Sequence, residues 1–383
     1  MGGQRRIPEL DTLRAVAILL VLIRHIRVGF PEEGLAPLGP VVFTVARAGW
    51  MGVDLFFVLS GFLVSGLLFR EYLTHRTLNI TRFLIRRGLK IYPAFYFFLV
   101  VSIVVSPLDG RSPLSRVGLI GEVLFLQNYF AALWDHTWSL AVEEHFYLGL
   151  ALLCYLIHKR PNFFLQRREE STGEYVPFDI IPKLYLVIFP LVLLLRINSA
   201  YLQDMPWAYT SLQTHLRFDS LFLGVVLSYL HHFHHQSLRD FVQKRFSLIL
   251  LLSLVFISPP FFLEITKSPF IQSVGFLTIA LGFGGLLVCA LHRRGGRYSN
   301  ILLNLGILGW IGQYSYSIYL WHMPIRRWTP LLLEAWGMHL PLSWIALIYI
   351  LLSIVLGIAL SKLVEMPVLA LRDKLFPSRA KAA

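Results

Sequence analysis

Charge is scarce in this chain. Lys, Arg, Asp and Glu make up 15% of its 383 residues, against 56% hydrophobic residues. Soluble globular chains carry roughly 25% charged residues. A chain so poor in charge would aggregate in water, which excludes a soluble domain and makes the bilayer its solvent. Cysteine is nearly absent, and Cys154 and Cys289 both lie in apolar runs. That excludes a disulfide framework and says little about redox compartment. Acidic residues are the minority sign: 22 Asp and Glu face 35 Lys and Arg, for a net charge of +13. In a soluble protein that excess would point to nucleic acid. In a membrane protein it reads first as the basic bias of cytoplasmic loops, and second as attraction for an anionic cytoplasmic ligand or anionic lipid. No nucleic-acid partner is expected. The chain also lacks a repeat of 20–50 residues and a long low-complexity linker, so one helical bundle fits better than a string of domains.

What is present is a series of apolar runs. A spanning helix needs roughly 20 mostly apolar residues, and ten segments qualify: 11–28, 41–69, 83–106, 138–158, 180–198, 216–231, 247–263, 270–292, 305–323 and 342–363. The second is long, with a break expected near Gly49 and Gly52. The stretch 116–130 is apolar but short, and reads as re-entrant or interfacial. The first run follows Arg5 and Arg6 like a signal peptide. However, Arg14 lies inside it, and Arg24, His25 and Arg27 stand where a small-residue cleavage site belongs, so a retained helix is expected. Every second connection is basic, as are both ends. Arg326 and Arg327 are the clearest exception. Ten spans with both termini cytoplasmic satisfy that pattern. The fold class is therefore an all-α polytopic bundle, with residues 1–375 in the membrane domain and 376–383 as a short cytoplasmic tail without an appended soluble domain. His231, His232, His234 and His235 form a His-rich patch in a cytoplasmic loop; a solvated loop is the favoured reading over metal binding, since no Cys or acidic partner lies at ligand spacing.

Charges inside apolar runs need explaining, because each costs at least ~2.5–3.5 kcal/mol at the bilayer centre. Arg14 and His25 are eleven residues apart. At about 100° per residue they share one face of the first helix, separated by roughly 16 Å along its axis. Asp54 enters the second run from the outer side, beside Gly61, Ser65 and Gly66, which permit close helix packing. Arg82, Arg86, Arg87 and Lys90 precede Tyr92 and Pro93 in the third run; they suit a cytoplasmic anchor or a phosphate-binding patch equally. Trp138 opens a helix that carries Glu143, Glu144 and His145. Arg217 and Asp219 begin the sixth run, where mutual or cross-helix pairing competes with a functional role. The ninth ends at Trp321 and His322. In the alternating topology, His25, Asp54, Glu143, Glu144, Arg217, Asp219 and His322 reach the outer half, while Arg14, Arg82, Arg86 and Arg87 gather at the cytoplasmic end. A His and carboxylates above a basic mouth suit acid–base chemistry fed by an anionic cytoplasmic donor.

These residues resemble the membrane-bound acyltransferase-3 family, the OafA-like O-acyltransferases. The Arg14–x10–His25 pair looks like its hallmark. The stretches GVDLFFVLSGF (52–62), RFLIRRGLKIYP (82–93), WSLAVEEHFY (138–147), RFDSLFLG (217–224) and SYSIYLWHMP (315–324) follow its pattern in order. One departure is His145, where Gln is usual. The resemblance covers essentially the whole chain. It implies a bacterial cytoplasmic-membrane enzyme that transfers an acyl group, commonly acetyl, from cytoplasmic acyl-CoA to a hydroxyl of a sugar, glycan or lipid-linked acceptor at the outer side. No metal is implied, and the partners are acyl-CoA, a carbohydrate or glycolipid acceptor and membrane lipid. On this reading Arg14, Arg82, Arg86, Arg87, Lys90 and Tyr92 hold the donor. His25 is the general base, oriented by Glu143 or Glu144, with Asp54 in the same catalytic group. Trp138, Arg217, Asp219 and His322 meet the acceptor, with Arg217 at the oxyanion. A covalent acyl-His25 intermediate is the alternative chemistry. A transporter or flippase of an acyl or glycan carrier is the alternative function, since intramembrane charge serves that too.

Overall fold

The computed structural model describes residues 7–29, 32–107, 115–130, 132–160, 178–203, 205–292 and 306–379, and among these it contains helices and no strand. The first helix, α1, is Pro8–Gly29. Next come α2 (Gly39–Ala48) and α3 (Gly52–His75), joined by a tighter 3-10 turn at Gly49–Met51 where a break was expected. Asn79 caps α4 (Ile80–Val105) by accepting a hydrogen bond from the Arg82 amide, which satisfies one of the free donors at a helix start. The short apolar stretch forms α5 (Arg116–Val123). Beyond it lie α6 (Trp138–Lys159), α7 (Ile180–Ile197), α8 (Phe218–Phe233), α9 (His235–Lys244) and α10 (Phe246–Ile257). The last part of the chain supplies α11 (Phe276–Leu291), α12 (Gly306–Gln313), α13 (Ser315–Ala335), α14 (Leu342–Leu360) and α15 (Met366–Leu375).

Among the described residues, six helical stretches are long and apolar enough to cross a membrane, or seven if the pair α9 and α10, bent by 82°, is one span. The other expected spans are helical but shorter or more charged. Helix α8 has 16 residues, and α1 carries Glu9, Asp11, Arg14, Arg24 and Arg27. The outward faces carry large apolar side chains. Leu186, Val187 and Leu194 of α7 and Leu251 and Val255 of α10 are all more than half exposed. Contiguous apolar surface of this kind needs a non-aqueous partner, and a bilayer supplies it. The chain is an integral membrane protein.

Small residues set the closest helix approach. A Cβ on Gly61 of α3 would lie 1.9 Å from the Leu221 carbonyl oxygen of α8, and one on Gly224 of α8 would lie 2.2 Å from the Val58 carbonyl oxygen of α3. Only glycine at both positions lets these backbones touch. That contact brings Asp54 and Arg217 into one buried layer. Two buried ion pairs cross there, Arg217–Asp54 at 2.6 Å and Arg196–Asp219.

One expectation holds only in part. The His-rich patch is a solvated loop only in part: His231 and His232 lie in a packed helix end, while His234 and His235 are exposed. His231 and His232 end α8, with rings packed on Phe62 at 5.5 and 6.5 Å, and His235 begins α9. Packing on an aromatic ring of α3 holds His231 and His232 in the last turn of α8, whereas His234 sits at the break between the two helices.

Candidate active site

A cavity of about 460 Å3 opens at the starts of α4 and the end of the described chain, and runs inward between α1, α3, α4, α6 and α13. Its lining includes Arg14, Arg70, Arg82, Arg86, Arg87, Lys90, Arg372 and Arg379, against the carboxylates of Glu71, Glu143 and Glu144. Eight cations against three anions make it a basin for negative charge, and its volume lies in the ordinary range for small-molecule sites.

The inner cations are held in place. Arg14 on α1 donates from Nε to Ser315 Oγ at 3.2 Å. Lys90 on α4 meets Glu365 at 3.3 Å, and Glu365 also accepts from Ser317 and Ser361 at 2.8 and 2.9 Å. A π-helical turn, Ser361–Glu365, aims that buried carboxylate inward, a distortion often found at functional positions. Arg87 lies over the Tyr147 ring at 3.9 Å and 3.6 Å from Glu143. Glu143 accepts from Ser60 at 2.9 Å and from Tyr147. Glu144 accepts from Tyr92 at 3.0 Å. The adjacent carboxylates thus diverge, as their 100° offset requires.

At the mouth, residues of the expected short cytoplasmic tail, from 376 to 379, fold back onto the bundle. Arg82 donates to the Pro377 carbonyl at 3.0 Å, Arg86 pairs with Asp373 at 2.9 Å and bonds the Phe376 carbonyl, and Arg379 lies 3.3 Å from Glu71. The guanidinium donors at the mouth are therefore engaged by the chain itself.

The inner end of the cavity is marked by Ser139 and Tyr319, whose hydroxyls are 2.6 Å apart. Behind Tyr319 lies a cluster of three histidines. His25 and His322 meet at 3.3 Å, and the His136 and His322 ring centroids are 4.8 Å apart. His136 and His322 are buried and His25 is half-buried. Each ring faces a backbone carbonyl, which can only accept. His25 Nδ1 lies 2.8 Å from Val21 O, His322 Nδ1 is bonded to Tyr319 O, and His136 Nε2 lies 3.1 Å from Leu320 O. Those nitrogens must carry the protons. His322 Nε2 is then a bare acceptor facing the His25 Nδ1–H, and the His25 lone pair is left on Nε2.

Seven of the residues singled out in the sequence therefore share the cavity: Arg14, Arg82, Arg86, Arg87, Lys90, Glu143 and Glu144. Tyr92 acts on the cavity by holding Glu144. His25 is brought to His322, not to a glutamate, because Glu143 and Glu144 are occupied by Ser60, Tyr147, Arg87 and Tyr92. Asp54 and Arg217 bind each other, and Asp219 binds Arg196. The Arg217 guanidinium also stacks on Phe276 at 3.8 Å. Trp138 packs on Phe57 at 5.9 Å, beside Arg217. None of these four lines the cavity. Sequence reasoning passed over Ser60, His136, Ser139, Tyr147, Tyr319 and Glu365. Tyr147 and Tyr319 sit inside stretches already noted, yet an intramembrane Tyr or Ser carries no cost signal of the kind a charge does.

Comparison with known proteins agrees on one family. The acyltransferase domain model of the acyltransferase-3 family matches residues 7–362. Peptidoglycan O-acetyltransferase OatA of Listeria monocytogenes is 26% identical over 96% of this chain and 56% of its own length. O-acetyltransferase OatA of Staphylococcus aureus is 25% identical over 85% of this chain and 51% of its own length. The chain thus spans about half the length of these curated relatives. No solved structure matches.

Proposed function

The chain belongs to the acyltransferase-3 family, and from that premise we propose that it is a membrane O-acyltransferase moving an acyl group, acetyl in the first instance, from acyl-CoA to a hydroxyl of a cell-surface glycan. The observation that carries this reading is the placement of α1. Its Arg14 lines the basic cavity, and its His25 lies about 16 Å further along the axis in the histidine cluster. One rigid helix thereby links an anion-binding basin to a base. An extended pantetheine arm fits that span, with the CoA phosphates among the basic groups of the mouth and the thioester beyond Tyr319. Relatives named for O-acetyl transfer, one of them to peptidoglycan, support the acceptor class.

In the proposed step the acceptor hydroxyl attacks the thioester carbonyl. The O–H proton passes to His25 Nε2, the new O–C bond forms, and the C–S bond breaks. The proton on His25 then neutralises the departing CoA thiolate. The carbonyl of Val21 and Nε2 of His322 hold the tautomer that leaves Nε2 free. Base catalysis by a positioned His is worth about 10²–10⁴-fold. Arg217, the oxyanion candidate from sequence, is committed to Asp54 and does not serve here.

Ten spans with both ends cytoplasmic remain the topology we favour, in the bacterial cytoplasmic membrane. Cross-helix pairs support it. Arg14 meets Ser315 and His25 meets His322, so α1 and α13 run parallel, as the first and ninth spans of an alternating bundle must.

The test is acyl transfer by protein in lipid nanodiscs, given acetyl-CoA and a peptidoglycan or oligosaccharide acceptor, with CoA thiol release and acceptor mass as readouts. His25→Ala and His25→Gln should lose at least about 100-fold in kcat; wild-type rates in either would remove His25 from the mechanism. Rapid quench without acceptor separates direct transfer from an acyl-His25 intermediate, which would leave label on the protein. Movement of a carrier with no CoA release would instead favour a transporter.

A further inference from the structure

We propose that His231, His235 and His292 form a binding site for a borderline divalent transition cation of the Zn(II) class, separate from the cavity and not required by the acyl-transfer reading. The three come from different elements. His231 is in the last turn of α8, and His235 opens α9 after a break at His234 (φ −130°, ψ 37°). His292 follows the last residue of α11, 61 positions along the chain from His231. One ring nitrogen from each lies within 4.8 Å of the others.

The spacing is close to that of a coordination shell. Zn–N bonds of about 2.0–2.1 Å in a tetrahedron put ligand nitrogens about 3.3 Å apart. His231 Nδ1 and His292 Nε2 are 3.4 Å apart. His235 must move in by roughly 1 Å to complete the set, and it is exposed at the start of a helix, so its ring is free to do so. The ring centroids are 5.0, 5.2 and 5.3 Å apart, so the rings surround one point. His292 is buried at 4% exposure while His235 faces solvent, which gives the site a closed back and an entrance.

The donor set selects the cation. Three imidazoles, with no carboxylate in the group among the described residues, suit Zn(II), Cu(II), Ni(II) or Co(II), and do not suit Mg(II) or Ca(II), which want oxygen. Among the described residues, Arg70 acts on His231 and Arg239 on His292 as cationic side chains. They disfavour a hard ion held by charge alone, and leave nitrogen coordination as the source of affinity. Water or an added anion fills the fourth position. Bound metal would clamp the corner of α8 and α9 to the end of α11, against Phe62 of α3. Arg70 also lines the cavity mouth, so the clamp lies at the same end of the bundle as the mouth.

The experiment uses full-length protein carrying a tag without histidine, stripped with chelator. Zn(II) is added in calorimetry, and Co(II) is followed by its tetrahedral d–d absorption in the visible. One equivalent should bind, raise the unfolding midpoint and give the tetrahedral Co(II) spectrum. His235→Ala, at an exposed position, should weaken binding by more than roughly 100-fold and remove the thermal shift; His292→Gln should do the same. His234→Ala, whose ring bonds Tyr229 Oη outside the cluster, should keep full binding. Absence of a tight equivalent, several weak equivalents, or equal loss in His234→Ala and His235→Ala would each overturn the site in favour of diffuse His-rich binding.

Discussion

Asp54 and Arg217 offer the sharpest test of how buried charge is used in this protein. Both were candidates for chemistry, yet they meet at 2.6 Å with side chains 0% and 2% exposed. One carboxylate oxygen of Asp54 and Nε of Arg217 find no hydrogen-bond partner among the described residues, so the pair depends on its one strong contact and on the Phe276 ring beneath the guanidinium. Replacing Arg217 by Met leaves the buried Asp54 carboxylate without its directly paired counter-charge. Breaking such a pair from one side costs about 3–5 kcal/mol, whereas replacing both partners by apolar residues is often neutral or stabilising. Native proteins hold only about 5–15 kcal/mol in total, so the single change removes a large share of stability. Arg217→Met and Asp54→Leu should each lower the unfolding midpoint sharply in thermal-shift and protease-sensitivity assays. The double variant Asp54→Leu/Arg217→Met should recover most of that loss and keep kcat within a few-fold of wild type. A double variant that is stable but has lost roughly 100-fold or more in kcat would refute the reasoning, because a loss on the scale of acid–base catalysis would put Asp54 in the reaction.

Other outcomes follow from the same geometry. Gly61→Val should destabilise by about 1–3 kcal/mol or more, since its Cβ would fall 1.9 Å from the Leu221 carbonyl oxygen. Gly149→Ala, inside α6 with nothing within 4 Å of an added Cβ, should raise the unfolding midpoint slightly, by the roughly 0.5–1 kcal/mol that Ala gains over Gly in a helix. Arg14→Ala and Arg87→Ala should raise KM for acetyl-CoA by about 10-fold each, the worth of one charge-assisted hydrogen bond, and should flatten its dependence on salt in steady-state assays. His322→Ala should reduce kcat less than His25→Ala with KM unchanged, because the Val21 carbonyl still holds the His25 proton on Nδ1. Equal losses in the two variants would give His322 a direct part in proton transfer.

Much of the architecture was legible before any coordinates. Apolar runs of spanning length imply helices, because backbone polar groups in lipid must be satisfied within the segment. The expected break near Gly49 appears as the 3-10 turn, and the segment after residue 116 is a short helix. Span number was less legible, because α1 and α8 trade apolar length for ionisable groups that face the bundle. The basic basin was also visible, since Arg82, Arg86, Arg87 and Lys90 repeat along one helix and their charge cannot be left in lipid.

What the sequence alone determined is an all-helical membrane bundle, its family, and the inventory of costly polar groups: each follows from composition, period or motif, which are local. Which group meets which was decided by the tertiary structure. Glu143 and His25 looked like partners because both reach the outer half, yet Glu143 joins Arg87 and Tyr147, and His25 joins His322. For Arg217 and Asp219 the sequence leaves mutual pairing, cross-helix pairing and a functional role open; the structure pairs each across helices, Arg217 with Asp54 and Asp219 with Arg196. The His-rich patch lacked a partner until His292 arrived from the end of α11. Depth in the membrane is a one-dimensional coordinate that hydropathy encodes. Partner choice depends on rotation and crossing of helices, set by contacts such as Gly61 on α8, and those no single segment records.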